Sequence, residues 1–232
     1  MDINFAKFEE KAGISFKDKN LLRQAFTHRS YINENKNTRF EHNERLEFLG
    51  DAVLELVVTN FLYAKYPTKP EGELTTYRSA LVNSITLAEV ASNLTMNDYL
   101  LLSKGEAKDT GRARQYILAN TFEAVTGALY LDQGYDKAKA FIEQHILVFA
   151  DKLIAKGNLV DAKSLFQEKA QEKTGITPSY KLVREAGPDH DKSFTVGVLI
   201  GKDQIATGEG KSKQEAEQNA ALKALEAKGW MA

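Results

Sequence analysis

The chain has no cysteine, so it can form no disulfide and offers neither a thiolate nucleophile nor a Cys-ligated zinc site. No run approaches the roughly 18 consecutive apolar residues that a membrane span requires. The first ten residues, Met1 to Glu10, are acidic and amphipathic and lack the basic end and apolar block of a secretory signal. These absences fit a reducing, cytoplasmic protein with no membrane partner. An excess of positive charge is also missing: the formal net charge is −1, and neither the part before residue 160 nor the part after it is basic overall. Coating of nucleic acid through bulk charge is thereby excluded, and any such binding has to be local. What remains is a 232-residue chain, 43% apolar and 27% charged, long enough for one or two soluble domains with real cores.

Up to about residue 155 the pattern is helical. Apolar residues recur at three- and four-residue spacing in Leu21 to Phe26, Leu46 to Tyr63, Ile85 to Leu94, Ile117 to Leu131 and Ala138 to Ile154, with no strand alternation. Pro67, Pro70 and Gly72 mark a break, and Ser103 to Gln115 reads as an extended polar loop. After Asp161 the pattern becomes helix, three strands, helix: a helix over Ser164 to Thr174, strands at Tyr180 to Glu185, Ser193 to Ile200 and around Ile205, then a helix from Lys211 to Ala227 opened by Gly210. The expected organisation is an all-α domain over 1–156, a linker at 157–160 and a small α+β domain (α-β-β-β-α) over 161–232. Ala216, Ala220 and Ala224 recur every fourth residue, which suits close approach of the last helix to the sheet.

Acids interrupt this apolar sequence in two places. On a helix, Glu44, Glu47, Asp51 and Glu55 fall within an arc of roughly 80°, opposite Leu46, Leu49, Val53, Leu56 and Val57. Like charges at that spacing repel, and no lysine lies on that face. Asn120 and Glu123 share a second face inside an apolar pattern, and Glu71 sits at the Pro/Gly break. Hard oxygen ligands without cysteine or a histidine pair suit magnesium or manganese rather than zinc, and such a site supports phosphate-ester hydrolysis. A solvated helix face is the plainer explanation of any acidic pair, and spacing alone leaves both readings open.

The run His42-Asn43-Glu44-Arg45-Leu46-Glu47-Phe48-Leu49-Gly50-Asp51-Ala52-Val53-Leu54 resembles the signature of bacterial ribonuclease III. Thr27-His28-Arg29-Ser30-Tyr31, Glu71-Gly72-Glu73-Leu74, Lys104-Gly105-Glu106 and Ile117 to Ala124 follow in the order that family shows. The resemblance implies an all-helical endonuclease domain that dimerises and cuts both strands of double-stranded RNA, leaving 5′-phosphates and short 3′ overhangs. Precursors of ribosomal RNA and other structured RNAs are the implied substrates. It implies Mg2+, with Mn2+ able to substitute, held by Glu47, Asp51, Asn120 and Glu123, with Glu44 and Glu71 as further acidic members of the site. It also implies that Phe48 inserts into the partner subunit, and it requires no small-molecule cofactor. Glu55 matches no acidic family position and is read as an edge or solvent charge.

Two departures stand out. Asn120 replaces the usual Asp, which removes a negative charge and should weaken metal binding; a non-cleaving RNA-binding protein of the same fold is the alternative it raises. Tyr116 replaces a usual small Ser. The C-terminal part resembles a double-stranded RNA-binding domain, most specifically in Gly210-Lys211-Ser212-Lys213-Gln214-Glu215-Ala216-Glu217. That resemblance implies RNA contacts by Ser164, Gln167, His190, Lys211, Ser212 and Lys213, reading A-form shape rather than base sequence. Lys104, Lys108, Arg112 and Arg114 form a basic loop that reads equally as a phosphate clamp or as a solvated segment.

Overall fold

A computed structural model describes residues 3–38, 40–150, 162–187 and 192–230. The chain divides into two compact units, Met1–Leu159 and Val160–Ala232. The linker expected at 157–160 and its flanks lie outside the described residues.

The first unit is helical: α1 (Ala6–Ala12), α2 (Lys19–Ala25), α3 (Arg29–Glu34), α4 (Glu44–Lys65), α5 (Glu71–Val82), α6 (Ser84–Asn93), α7 (Arg112–Gln133) and α8 (Tyr135–His145). Its core is built where α4 and α7, each of 22 residues, pack together. Leu54, Val57, Val58 and Leu62 meet Phe122, Val125, Ala128 and Leu129 there, with Phe8, Phe26 and Phe141 filling around them. Two glycines set how close these helices come. A methyl group on Gly50 would strike the Glu123 carbonyl and stand 2.8 Å from the Gly127 amide nitrogen; one on Gly127 would strike the Leu46 carbonyl and stand 2.9 Å from the Gly50 nitrogen. Glycine costs about 1 kcal/mol in a helix interior, and here it lets two backbones touch.

Asn43, which precedes α4, does not cap it. Its side chain is buried and donates instead to the Ala25 carbonyl at 3.0 Å, while its backbone N–H donates to Thr27 at 2.9 Å. The start of α4 is thus tied to the end of α2, and the acids Glu44 and Glu47 occupy the helix's first turn, where its dipole favours negative charge.

Several boundaries differ from expectation. The Pro/Gly break at 67–72 opens a 12-residue helix, α5, because Pro70 precedes its first turn, where no intrahelical N–H bond is lost. The stretch 103–115 is not loop throughout: a 3-10 turn forms at Glu106–Lys108, and α7 begins at Arg112. The helix expected to run from Ala138 to Ile154 stops at His145. A 3-10 turn over Leu147–Phe149 follows, and it brings Ile146 and Leu147 into the core.

The second unit consists of α9 (Ala162–Thr174), β1 (Ser179–Ala186), β2 (Ser193–Ile200), β3 (Asp203–Gly210) and α10 (Lys213–Lys228). The strands form an antiparallel sheet in the order β1-β2-β3. Ala216, Ala220 and Ala224 are fully buried, and Gly208 and Gly210 bring β3 against the α10 backbone; a methyl on Gly210 would lie 2.6 Å from the Ala216 nitrogen. Gly210 therefore ends β3 rather than opening the helix. α10 begins at Lys213 because Ser212 caps it, accepting from the Glu215 N–H at 3.1 Å, while the Lys211 N–H donates to the Glu215 carboxylate at 2.7 Å. Phe166 stacks on Trp230 at 5.6 Å beneath this layer.

Gly127→Ala is expected to lower the unfolding free energy by about 2 kcal/mol or more through backbone overpacking. Gly72→Ala, where an added methyl meets nothing within 4 Å, should be neutral or mildly stabilising. Thermal unfolding by circular dichroism compares them; equal melting temperatures would show that the helices separate without cost.

Candidate active site

The glycine crossing puts one face of α4 against one face of α7 and collects four of the expected site residues. Glu47 and Asp51 come from α4, Asn120 and Glu123 from α7. The Asn120 side chain hydrogen-bonds to Glu47, and the negative charges of Asp51 and Glu47 both act on Glu123.

The electrostatics are those of crowded acids. Burial, followed by the charges of Asp51 and Glu47, pushes the Glu123 carboxyl up to about 8. Glu47 is raised by burial and by Glu44 and Asp51, against the opposing hydrogen bond from Asn120. Asp51 is raised by burial and by Glu55. Among the described residues, no Lys or Arg contributes to any of these shifts. Glu55, read from sequence as an edge charge, is exposed and is also an electrostatic neighbour of the cluster.

Glu44 and Glu71 are placed differently. Glu44 sits in the first turn of α4 with Arg29 Nη1 at 3.3 Å and His42 Nδ1 at 3.8 Å, and it reaches the cluster through its charge on Glu47. Glu71 is exposed at the start of α5, accepts from Thr75 Oγ1 at 3.1 Å, and lines a cavity of about 390 Å³ with Thr59, Leu62, Tyr63, Leu74 and Arg78. These lie two to three turns along α4 from Asp51, so Glu71 is not gathered with its own chain's four.

The donor set is all oxygen, from three carboxylates and one amide, which fits a hard divalent cation. Among the described residues, no three His, Cys, Asp or Glu side chains stand close enough together to hold an ion as they are. The acids share a neighbourhood without closing on one point, as mutually repelling carboxylates do.

Phe48 adjoins these acids on α4 and is 81% exposed. A core role, the ordinary one for phenylalanine, is thereby ruled out. Ala52, Leu56 and Tyr63 continue its exposed stripe down the helix. Sequence reasoning missed Gly50 and Gly127 as the residues that assemble the site, and Arg29 and His42 as neighbours of Glu44. A glycine in the middle of each of two long apolar helices was the available signal.

In the second unit, Ser164 and Gln167 line an open groove on α9 with Glu168, Gln171 and Thr177. Ser212 caps α10, and Lys213 Nζ lies 5.9 Å from the centre of the Phe194 ring. His190 lies outside the described residues. Among the described residues no helix is long and apolar enough to cross a membrane.

Comparison with known proteins bears on both units. A family profile described as Ribonuclease-III-like matches residues 18–149, and one described as Double-stranded RNA binding motif matches residues 162–228. "Ribonuclease 3" of Natranaerobius thermophilus is 48% identical over 220 residues, covering 94% of each chain. "Ribonuclease 3" of Enterococcus faecalis is 47% identical over 219 residues, covering 94% of this chain and 95% of its own. Among solved structures, the ribonuclease III nuclease domain from Campylobacter jejuni, described for flexibility in a region involved in dimer formation, superposes with a TM-score of 0.56 at 40% identity. That match covers 62% of this chain and 99% of the domain.

The raised Glu123 fixes the sign of a pH effect. The folded chain binds that proton more tightly than the unfolded one, so its contribution to stability is complete below about pH 4.5 and is lost as pH rises through about 8. In chelator, Glu123→Gln should therefore melt progressively higher than the parent as pH rises from 5 to 9, with the difference vanishing at the acid end. Parallel melting profiles across that range would refute the burial of this carboxyl.

Proposed function

The chain belongs to the ribonuclease III family, and from that premise we propose that it is a magnesium-dependent endoribonuclease that hydrolyses both strands of double-stranded RNA. The products carry 5′-phosphates and short 3′ overhangs, and the substrates are structured precursors of ribosomal RNA and comparable duplexes. The observation that carries this reading is the cluster of Glu47, Asp51, Asn120 and Glu123, whose three carboxylates are crowded together with no basic side chain among the described residues offsetting their charge.

Those four residues would hold the cation, with Glu44 supporting them. When bound, the ion supplies polarisation of the phosphoryl oxygen and a lower pKa for water. The chain's own contribution is placement. The α4–α7 crossing fixes both halves of the cluster on rigid helices. Asn120 donates to Glu47 and favours its ionised, ligating form.

The active form is a homodimer. Phe48, Ala52, Leu56 and Tyr63 make an exposed apolar stripe, and the cavity walled by Leu62, Tyr63 and Leu74 is of a size to receive an aromatic ring. Seating the Phe48 of one protomer in that cavity of the other brings the Glu71 that lines it towards the first protomer's acids, because Phe48 adjoins Glu47. This arrangement accounts for a Glu71 remote from its own cluster. The second unit holds the duplex by shape, through Ser164, Gln167, His190, Lys211, Ser212 and Lys213. With few phosphate contacts, its grip should be salt-sensitive.

Incubation of a long RNA duplex with the full chain in magnesium should give double-strand cuts, abolished by chelator and reduced at least about 100-fold in Glu123→Ala. Tight binding without cutting in any condition would replace this reading with that of a duplex-binding protein. Asn120→Asp adds a carboxylate and should lower the magnesium concentration for half-maximal cutting several-fold; identical titrations for the two proteins would remove Asn120 from the metal's surroundings.

A further inference from the structure

One face of α7 continues beyond the acidic cluster. Arg112, Tyr116, Asn120, Glu123 and Gly127 fall within an arc of roughly 80°, so a single stripe runs from the helix crossing, through the site, to an aromatic and a basic residue. Tyr116 lies about 6 Å and Arg112 about 12 Å along the axis from Asn120. Tyr116 is 46% exposed, and the two side chains are engaged with each other: the Arg112 guanidinium carbon stands 5.8 Å from the ring centre, and its Nη2 donates to the Tyr116 hydroxyl at 3.3 Å.

The other cations of this segment are placed otherwise. Arg114 is bound into the fold, donating from Nη1 to Asn97 Oδ1 at 2.7 Å and from Nη2 to the Glu106 carbonyl at 2.6 Å. Lys104 precedes the 3-10 turn at Glu106–Lys108, and Lys108 is the last residue of that turn rather than a residue of α7. Arg112 is exposed and backed by a ring, and a guanidinium has five N–H donors, of which the Tyr116 hydroxyl takes one. Arginine loses rotamer entropy when it binds a ligand, and a ring behind it reduces that loss. The remaining N–H fork matches a phosphate.

Building on the reading that the adjacent cluster cuts RNA, we propose that Arg112 binds a backbone phosphate beside the scissile one, and that Tyr116 is the positioning residue that holds its guanidinium plane. Tyr116 and Asn120 are then two parts of one arrangement. The amide removes a negative charge from the path of the RNA backbone, and one turn away the ring supports a positive one.

The test uses the full chain in two assays, equilibrium binding of an RNA duplex in chelator across a salt series and cleavage kinetics in magnesium. Arg112→Ala is expected to raise KM about 5- to 10-fold with kcat within two-fold, and to flatten the slope of log affinity against log salt by about one. Tyr116→Ser should do the same to a smaller extent, and adding it to Arg112→Ala should cost nothing further. Tyr116→Phe keeps the ring and should stay closer to the parent than Tyr116→Ser. The inference is overturned if Arg112→Ala leaves both KM and salt slope unchanged, or if the effects of the two substitutions multiply independently. A parent chain that binds but never cuts would defeat the proposed function and leave the salt-slope comparison to decide this inference.

Discussion

Everything in the first unit that bears on chemistry depends on two backbones being allowed to touch. At Gly50 and Gly127 the α4 and α7 main chains approach so closely that a methyl group on either would meet backbone atoms of the other. Backbone cannot yield as a flexible side chain can, so the crossing is rigid, and the residues within about two turns of it inherit that rigidity. Glu47 and Asp51 flank Gly50; Asn120 and Glu123 precede Gly127. The acidic cluster is therefore a geometric consequence of this backbone crossing.

That position has an energetic cost that the rest of the unit offsets. Three carboxylates are partly removed from water and face one another, and all three have their proton affinity raised. Left alone, such an arrangement favours separation of the helices. Opposing it is the apolar interface around Leu54, Val58, Phe122, Val125 and Leu129, whose burial at about 25 cal/mol per Å² supplies several kcal/mol. The repulsion marks the place where a cation gains most, because the same charges that repel one another attract it. Glu44 is paired with Arg29 and so can influence Glu47 without crowding it further.

The second unit uses the same device between a sheet and a helix. Gly208 and Gly210 of β3 face Ala216 and Ala220 of α10, so that the helix lies directly on the strand. The alanine repeat was legible in the sequence because a four-residue period of small side chains has one packing consequence. β2 was equally legible, since Phe194, Val196, Val198 and Ile200 alternate, and its observed span is Ser193–Ile200. The start of α10 was not: Gly210 resembles a helix opener, and its use as the last residue of β3 follows from the Ser212 cap two positions later. α5 was hidden for a similar reason, its Pro70 and Gly72 being breakers everywhere except at a helix's first turn.

By itself the sequence determined the class of each unit, the family resemblance and the list of candidate acids, because periodicity and residue type are local properties carried by neighbours along the chain. Which of those acids belong together was decided only by tertiary structure. Glu44, Glu47, Asp51 and Glu55 share one arc of α4, yet their surroundings differ: Glu47 and Asp51 meet α7, Glu44 faces Arg29, and Glu55 acts through Asp51. Glu71 is as acidic as any of them and stands by a cavity further down α4. The proximity of Asn120 to Glu47, some seventy positions apart, depends on a crossing point that no local pattern records, because what sets it is the absence of two side chains at Gly50 and Gly127 on helices that meet only in the folded chain.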